Sequence, residues 1–303
     1  DEVIVTKKAR YTKKNNPAVA LMERIRAARH LTDPLRKPYY SYDKYDKTVL
    51  AINDFDPSQE KGFVAKHMKF IFDFVDTSEL SGRPILPVSL KETSSRRLYR
   101  ASPRSDKELV NGMRRQALME SLNQDGITRF VEDVLREVDI YDNDITLMQN
   151  RFVSPLSHIA GNYYKFFLDT VITASGKMLE LSFAPHNPES MGFNGRMYIP
   201  EGDSTMFISK ISMQVPRAIN LNYVKSLYLV QEFERDPDGT RHKVSDDMTV
   251  EIEIVPGTPG VYARRITMYD NFSDSEPDAS EAAYLDKGGK VFVREDAAMQ
   301  TDD

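Results

Sequence analysis

Residues 227–254 read LYLVQEFERDPDGTRHKVSDDMTVEIEI, and this stretch decides the fold class. At its centre lies Asp236-Pro237-Asp238-Gly239, a strong turn signal, because proline presets φ and glycine accepts a positive φ. The residues on either side, 221–234 and 244–255, are rich in β-branched and aromatic types. The stretch therefore predicts a β-hairpin.

The second strand of this hairpin alternates strictly at Thr249-Val250-Glu251-Ile252-Glu253-Ile254. Successive side chains of a strand point to opposite faces, so the three aliphatic residues share one face. Glu251 and Glu253 share the other, which we expect to be solvated, as antiparallel sheets permit. A functional pair of carboxylates on that face is the alternative interpretation.

The same sequence pattern of short strands separated by turns extends from 162 to 270 and predicts a mainly antiparallel sheet. Two further hairpins and a last strand complete it. The predicted elements are 163–172 with 178–183 around Ala174-Ser175-Gly176-Lys177, 191–199 with 206–215 around Glu201-Gly202-Asp203-Ser204, and a strand at 261–269.

The chain before residue 160 mixes helices with strands. Asn16 can cap a helix that begins at Pro17, and an apolar residue every three positions gives that helix one buried face up to residue 29. A second helical stripe covers 127–138. Strands are predicted at 39–50, 88–100 and 107–114, with Pro84 and Pro87 in a loop, while 64–75 fits a helix or a strand equally well.

These elements predict an α+β fold and one large domain. We assign 1–15 to a linker, 16–272 to a single domain with its mixed part up to about 160, and 273–303 to an acidic, poorly ordered tail. Residues 1–37 hold ten Lys/Arg against four acidic residues, and residues 270–303 hold ten acidic residues against three basic ones. Such charged ends are typical of solvated segments.

Composition excludes several classes of function. The chain has 303 residues, a net charge of -5 and no cysteine. The absence of cysteine excludes disulfides, cysteine-ligated zinc, iron–sulfur clusters and a thiol nucleophile. The negative charge argues against a nucleic-acid partner. No apolar run is long enough to span a bilayer as a helix, so we expect a soluble chain.

Four stretches resemble one family of proteins. They are NNPA (15–18), YSYDKYDKT (40–48), GRMYIPEGDSTMFISKI (195–211) and INLNYVKSLYLVQEF (219–233). Through them, residues 15–272 resemble the soluble segment of uncharacterised Gram-negative outer-membrane proteins. In that family a carboxypeptidase-regulatory-like domain precedes the segment, and an outer-membrane β-barrel follows it.

The resemblance implies a location at the periplasmic face of the outer membrane, with the β-barrel of the parent protein as a partner. The strand pattern is also similar to that of periplasmic lipoprotein carriers, which implies a curved, unclosed barrel of antiparallel strands packed with a few helices. Likeness at the level of the fold does not define a function.

Catalytic, metal-binding and cofactor-binding motifs are missing from the sequence. The five histidines, His30, His67, His158, His186 and His242, are isolated, so no metal-ligand spacing occurs. No nucleophile elbow, phosphate-binding loop or dinucleotide fingerprint is present. We therefore predict no catalytic residue, no metal and no cofactor.

Aromatic residues give the clearest binding signal. Three strands each carry a pair of large side chains spaced by two residues, which places each pair on one face. The candidate ligand-binding residues are Tyr40, Tyr42, Phe166, Leu168, Leu227 and Leu229. Packing in the core is the alternative interpretation of the same pairs.

The sequence thus predicts a non-catalytic binding or assembly module that holds a lipid or an apolar segment of a partner. Two alternatives stay open. One is a structural spacer between domains, and the other is an enzyme whose site is assembled from residues distant in sequence.

Overall fold

The structure is a computed structural model that describes residues 11–56, 69–117, 131–219, 221, 223–253 and 260–302. Helices within these ranges are short and few. They are α1 (Pro17–Ala28), α2 (Ala160–Tyr163) and α3 (Ala279–Leu285), with helical residues also at 131–134 and 3-10 turns at Pro34–Arg36 and Lys69–Phe74.

Fourteen strands account for most of the described residues. They are β1 (Tyr39–Asn53), β2 (Asp76–Thr77), β3 (Pro84–Arg100), β4 (Ser105–Ala117), β5 (Asp144–Leu147), β6 (Asn150–Val153), β7 (Tyr164–Thr173), β8 (Gly176–Pro185), β9 (Asn194–Pro200), β10 (Lys210–Gln214), β11 (Val224–Arg235), β12 (Arg241–Ile252), β13 (Gly260–Ser273) and β14 (Val291–Asp302).

Twelve strands form one sheet in the order β14-β4-β3-β1-β13-β12-β11-β10-β9-β8-β7, with β2 paired to β3. The pairings are antiparallel wherever their direction is defined, except that β14 runs parallel to β4. The order has two ends, so the sheet is unclosed among the described residues. The predicted class, α+β with a mainly antiparallel, unclosed sheet and a few helices, is confirmed.

All three predicted hairpins are present. Strands β7 and β8 pair from Tyr164↔Pro185 to Thr173↔Gly176. Strands β9 and β10 pair as predicted, although β10 begins only at Lys210. Strands β11 and β12 are hydrogen-bonded neighbours joined through the predicted turn, in which the Gly239 amide donates to the Asp236 carbonyl and Gly239 has a φ of 90°.

The chain divides into two compact units, and the single domain predicted over 16–272 contains parts of both. Unit 1 comprises Asp1–Pro34, Arg136–Asn220 and Tyr228–Ser245. Unit 2 comprises Leu35–Leu135, Leu221–Leu227 and Asp246–Asp303.

Unit 1 has an apolar core. Tyr164 and Phe166 of β7 are fully buried, and the Tyr164 ring lies 5.6 Å from the ring of Phe183 on β8. Helix α1 packs on β7 and buries one face. It begins as predicted, since Asn16 caps it by accepting a hydrogen bond from the Ala18 amide at 2.9 Å.

Unit 2 is organised around β1, which pairs with β3 on one side and β13 on the other. Phe55, Leu86 and Val88 form one small core cluster. A second cluster joins Leu98 and Leu109 to Leu285 of α3.

Pro84 and Pro87 were assigned to a loop, and this was wrong, because both lie in β3. Pro84 is the first residue of the strand. At Pro87 the pairing of β3 with β1 shifts, since Leu50 pairs with Ser89 while Ala51 pairs with Pro87. Strand ends and bulges are the positions where a sheet tolerates the missing N–H of proline.

Three other expectations need correction. The acidic tail expected from 273 contains α3 and β14, which pack on β4 through Leu285 and through parallel pairing. The helix expected at 127–138 ends by residue 135, where the Leu135 carbonyl accepts from Arg265. Residues 69–74 of the undecided segment form a 3-10 turn. Residues 1–10, 64–68 and 127–130 lie outside the described ranges.

Candidate functional site

The candidate site is built from four aromatic side chains on one face of β1 and β13, all in unit 2. We call Tyr40, Tyr42, Tyr269 and Phe272 the aromatic cluster. The ring of Tyr42 lies 5.5 Å from that of Tyr40, 5.6 Å from that of Tyr269 and 5.9 Å from that of Phe272. Tyr40 and Tyr269 are buried, whereas Tyr42 and Phe272 are half-buried. A ligand could therefore reach the cluster through Tyr42 and Phe272.

A β-bulge brings Phe272 into this cluster. Ser41 pairs with Ser273 and Asp43 with Asp270, so two residues of β13, Asn271 and Phe272, lie opposite Tyr42. Asn271 has a positive φ of 53°, and its side-chain amide donates to Asp43 at 2.8 Å. A bulge redirects side chains. Here it turns Phe272 to the face that holds Tyr42.

Polar side chains continue the same face of β1 beyond the aromatic cluster. We call Lys44, Asp46, Ser95, Glu108 and Thr267 the polar ladder. The Lys44 ammonium lies 3.0 Å from Asp46 and 3.5 Å from Glu108. The Ser95 hydroxyl donates to Glu108 at 2.8 Å, and the Thr267 hydroxyl donates to Asp46 at 2.6 Å.

The polar ladder is well shielded from water. Ser95 and Thr267 are fully buried, and the Lys44 side chain is only 10% exposed. Buried charges remain charged when they are paired and hydrogen-bonded. One face of β1 therefore presents apolar rings at one end and a paired, half-buried set of charges next to them.

The six predicted ligand-binding residues fall into three pairs on strands that are not neighbours in the sheet. Tyr40 and Tyr42 lie on β1 within the aromatic cluster. Phe166 and Leu168 lie on β7, and Leu227 and Leu229 lie on β11. Phe166, Leu227 and Leu229 are buried, and Leu168 is half-buried. The structure thus brings Tyr40 and Tyr42 together with aromatic residues of β13.

Sequence reasoning missed Tyr269 and Phe272 as members of the site. The predicted last strand ended at Tyr269, and period-two alternation would have placed Phe272 on the opposite face from Tyr269. The bulge at Asn271 changes that assignment. The aromatic residues near the end of this strand were the available signal, but their partners lie more than 200 residues away.

The predicted solvated face of β12 was wrong at Glu251, which is only 4% exposed. Its carboxylate accepts hydrogen bonds from the hydroxyls of Ser78 at 2.5 Å, Ser81 at 2.6 Å and Ser226 at 3.1 Å. Ser78 and Ser81 belong to the turn between β2 and β3, which covers this part of β12. The arrangement holds that turn against the sheet.

A surface cavity also opens in unit 2. It has a volume of about 330 Å³ and is lined by Arg36, Pro38, Tyr39, Ala101 and Ser102. This volume is at the lower end for small-molecule sites, which run from roughly 300 to 1,000 Å³. Tyr39 points away from the face that holds Tyr40, and its hydroxyl donates to Glu276 at 3.2 Å. The cavity is therefore separate from the aromatic cluster.

No group of three His, Asp or Glu residues that could hold a metal ion occurs in the described part of the chain. The described histidines have ordinary neighbours. His30 bonds to the Ala27 carbonyl, His158 lies beside Asn143, and His242 lies 2.6 Å from Asp236. Over the same ranges, no helix is long and apolar enough to cross a membrane.

The open antiparallel sheet with its few helices defines the chain as an α+β protein. Its sequence matches the model of a family described as a family of unknown function (DUF5686) over residues 35–265. The chain belongs to this family. No curated protein matches the sequence.

Three solved structures are similar to the chain at low identity. A domain named as an outer membrane lipoprotein-sorting protein domain from Vibrio parahaemolyticus shares 9% identity, with 89% of this chain and 100% of that chain covered and a TM-score of 0.31. MucB in complex with MucA(peri) shares 7% identity, with 88% and 96% covered and a TM-score of 0.22. Lipovitellin shares 6% identity, with 79% and 26% covered and a TM-score of 0.29. Similarity at this level does not extend to function.

Proposed function

We propose that the chain is a non-catalytic binding or assembly module of the cell envelope, and that the aromatic cluster is its contact with an apolar ligand or an apolar segment of a partner. The observation that supports this most is the half-buried position of Tyr42 and Phe272 above the buried rings of Tyr40 and Tyr269. Tyrosine and phenylalanine offer large contact areas, and apolar sites are commonly lined by them.

The neighbouring polar ladder supports the same function. Ionic groups fixed beside the rings give the face one apolar end and one polar end. An apolar chain would contact Tyr42 and Phe272 and would end where the charged groups around Lys44 begin. Few polar groups beside an apolar surface are typical of sites that orient a ligand.

We place the module at the periplasmic face of the outer membrane, in a parent protein with an outer-membrane β-barrel. This part of the proposal rests on the resemblance of residues 15–272 to the outer-membrane family described above. The nucleotide sequence on either side of the coding region for this chain tests it directly. A downstream series of amphipathic strands of about ten residues would support it.

The binding proposal is tested by native mass spectrometry of the purified chain, with lipid extraction from the same sample. In parallel, the thermal unfolding of the chain is followed with added fatty acids and lipopeptides. A ligand present at a hundred times its Kd should raise the free energy of unfolding by about 2.7 kcal/mol. A lipid that co-purifies and such an increase are the expected results.

Two variants of β1 locate the site. Tyr42→Ala removes the most central ring of the aromatic cluster and should abolish the ligand-dependent increase in Tm. Tyr45→Ala is the matched control, because Tyr45 lies on the opposite face of the same strand and is 41% exposed. If no lipid co-purifies and no probe changes the Tm of the unmodified chain, the binding module is refuted and the spacer becomes the better interpretation.

A further inference from the structure

The end strand β7 presents an open edge. In the described part of the chain β7 pairs only with β8. Thr173 and Gly176 flank the hairpin turn and lie directly opposite each other. Counting back from Thr173, every second residue of β7 therefore points its backbone N–H and C=O towards β8. The backbone groups of Phe166, Leu168, Thr170 and Ile172 therefore point outward.

The start of this edge is closed by side chains. The Phe166 amide donates to the Tyr11 hydroxyl at 3.3 Å, and the Phe166 carbonyl accepts from the Asn16 side chain at 3.5 Å. Further along, the Thr170 amide donates to the adjacent Asp169 carboxylate at 2.8 Å, but this bond is exposed, unlike the part-buried bonds at Phe166, so a pairing strand can replace it. The edge that remains for another strand thus runs from Leu168 to Ile172.

Leu168 and Ile172 are the apolar side chains along this edge, and neither of them is buried. Leu168, Thr170 and Ile172 share the face of β7 that buries Phe166. Ile172 is 88% exposed, the highest value of any large apolar residue in the described ranges. An edge with unpaired backbone groups and an exposed apolar side chain is a template for another strand.

We propose that β7 pairs antiparallel with β7 of a second copy of this chain, on a two-fold axis at Thr170. About this axis Leu168 of one copy lies opposite Ile172 of the other, and Thr170 lies opposite itself. Apolar pairs and threonine pairs across strands are both favourable. On the opposite face Asp169 meets Val171, so no like charges are opposed.

The closed start of the edge fixes this register. A centre nearer the start of β7 would bring the partner strand against Phe166, where Tyr11 and Asn16 occupy the backbone groups. A centre at Ile172 would extend past Thr173 into the turn. Thr170 is therefore the centre that uses the whole edge, and the interface is isologous, as in most homodimers.

The interface is a single short strand, well below the roughly 1,200 Å² of a stable complex, so the dimer should be reversible. Sedimentation equilibrium of the full chain over a wide concentration range is the first test. The apparent mass should rise from that of one chain towards twice that value. A mass that stays at one chain up to millimolar concentration overturns the proposal.

Three variants locate the contact. Ile172→Lys and Thr170→Pro should both restore the monomer, the first by placing a charge opposite Leu168 of the other copy and the second by removing an outward N–H that a sheet edge can lose without unfolding. Val291→Lys is the matched control, because Val291 is a 60% exposed apolar residue on the other end strand, β14. If Val291→Lys restores the monomer and Ile172→Lys does not, the dimer forms elsewhere and the proposal is refuted.

Amide hydrogen exchange gives a readout that resolves single residues. As the concentration rises, exchange at Leu168, Thr170 and Ile172 should slow by at least ten-fold. Exchange at Asp169 and Val171, which already face β8, should not change. Equal slowing at both sets would contradict a strand pairing through this edge.

Discussion

Strand β7 of unit 1 and strand β1 of unit 2 each turn one face inward, but only the face of β1 continues from aromatic into charged side chains. Before Thr170, this face of β7 consists of Tyr164 and Phe166, which are buried, and Leu168, which is half-buried. The corresponding face of β1 begins with Tyr40 and Tyr42 and continues with Lys44 and Asp46. On β7 apolar burial decides which face points inward. On β1 an ion pair from Lys44 to Glu108 of β4 and a hydrogen bond from Thr267 of β13 to Asp46 contribute to that decision.

This difference shows that alternation in a sequence reports which side chains share a face, and not whether that face is apolar. Lys44 and Asp46 have the same spacing as Tyr40 and Tyr42. They are half-buried, and Ser95 of β3 and Thr267 of β13 supply hydroxyls to the carboxylates beside Lys44. A shift of β1 by one residue would separate all of these partners.

The largest expected change in the free energy of unfolding comes from a substitution in the apolar core of unit 1. Phe166→Ala should lower the free energy of unfolding by about 3–5 kcal/mol, because it leaves a cavity in a fully buried site. Phe167→Ala is the matched control, since Phe167 is half-buried on the other face of β7. Urea denaturation of both variants measures the difference. Equal losses would contradict the assignment of the buried face.

A smaller effect is expected in the polar ladder of unit 2. Lys44→Met leaves Asp46 and Glu108 without their ammonium partner and should cost about 2–3 kcal/mol. Lys91→Met is the control, because Lys91 is 41% exposed and its partner Glu132 is 55% exposed. An exposed ion pair contributes less than about 1 kcal/mol. If both variants lose the same stability, the ladder does not behave as a buried network.

The third prediction concerns Glu251. Glu251→Ala removes the acceptor of three serine hydroxyls and should destabilise the fold by about 1–2 kcal/mol. Ser81→Ala removes only one of these bonds and should cost less. Limited proteolysis should show faster cleavage between Ser78 and Arg83 in Glu251→Ala, since the turn loses its anchor. Unchanged cleavage would show that the carboxylate does not hold the turn.

The smallest effect concerns a polar group of unit 1 at high pH. The Arg241 guanidinium lies 3.7 Å from the centre of the Tyr141 ring, yet burial raises the pKa of Tyr141 from 10.0 to about 12. Because the pKa of Tyr141 is higher in the folded state than in the unfolded state, the neutral Tyr141 side chain contributes fully to the free energy of unfolding below pH 10. This contribution is lost as the pH rises towards 12. At pH 10.5 the loss should be about 0.8 kcal/mol. Tyr141→Phe should remove this loss, as chemical denaturation at pH 8 and pH 10.5 will show.

Local sequence signals predicted the hairpins because each hairpin is decided within some twenty residues. The turn at Asp236-Pro237-Asp238-Gly239 and its flanking strands needed no information from elsewhere. Alternation also identified Tyr40 and Tyr42 as one pair on a shared face. These parts of the fold and of the candidate site follow from the period of a strand and from the backbone preferences of proline and glycine.

The errors have a common physical origin in contacts between distant segments. Glu251 looked solvated because the covering turn, with Ser78 and Ser81, lies about 170 residues earlier in the chain. The segment after Ser273 looked like a tail because its apolar residues are few. Leu285 and Phe292 are enough to place it against Leu98 and Leu109. Phe272 was missed because a bulge reverses the face expected from alternation.

The pairing of β1 with β13 also has a consequence for synthesis on the ribosome. Asn53 pairs with Gly260, so roughly 200 residues must be made before this contact can close. Strands β3 and β4 emerge soon after β1 and can pair in sequence, since neighbouring segments meet first. Until β13 appears, the other edge of β1 stays unpaired, with Tyr40 and Tyr42 beside it. The nascent chain therefore has a long interval in which a chaperone that binds aromatic segments would find this strand accessible.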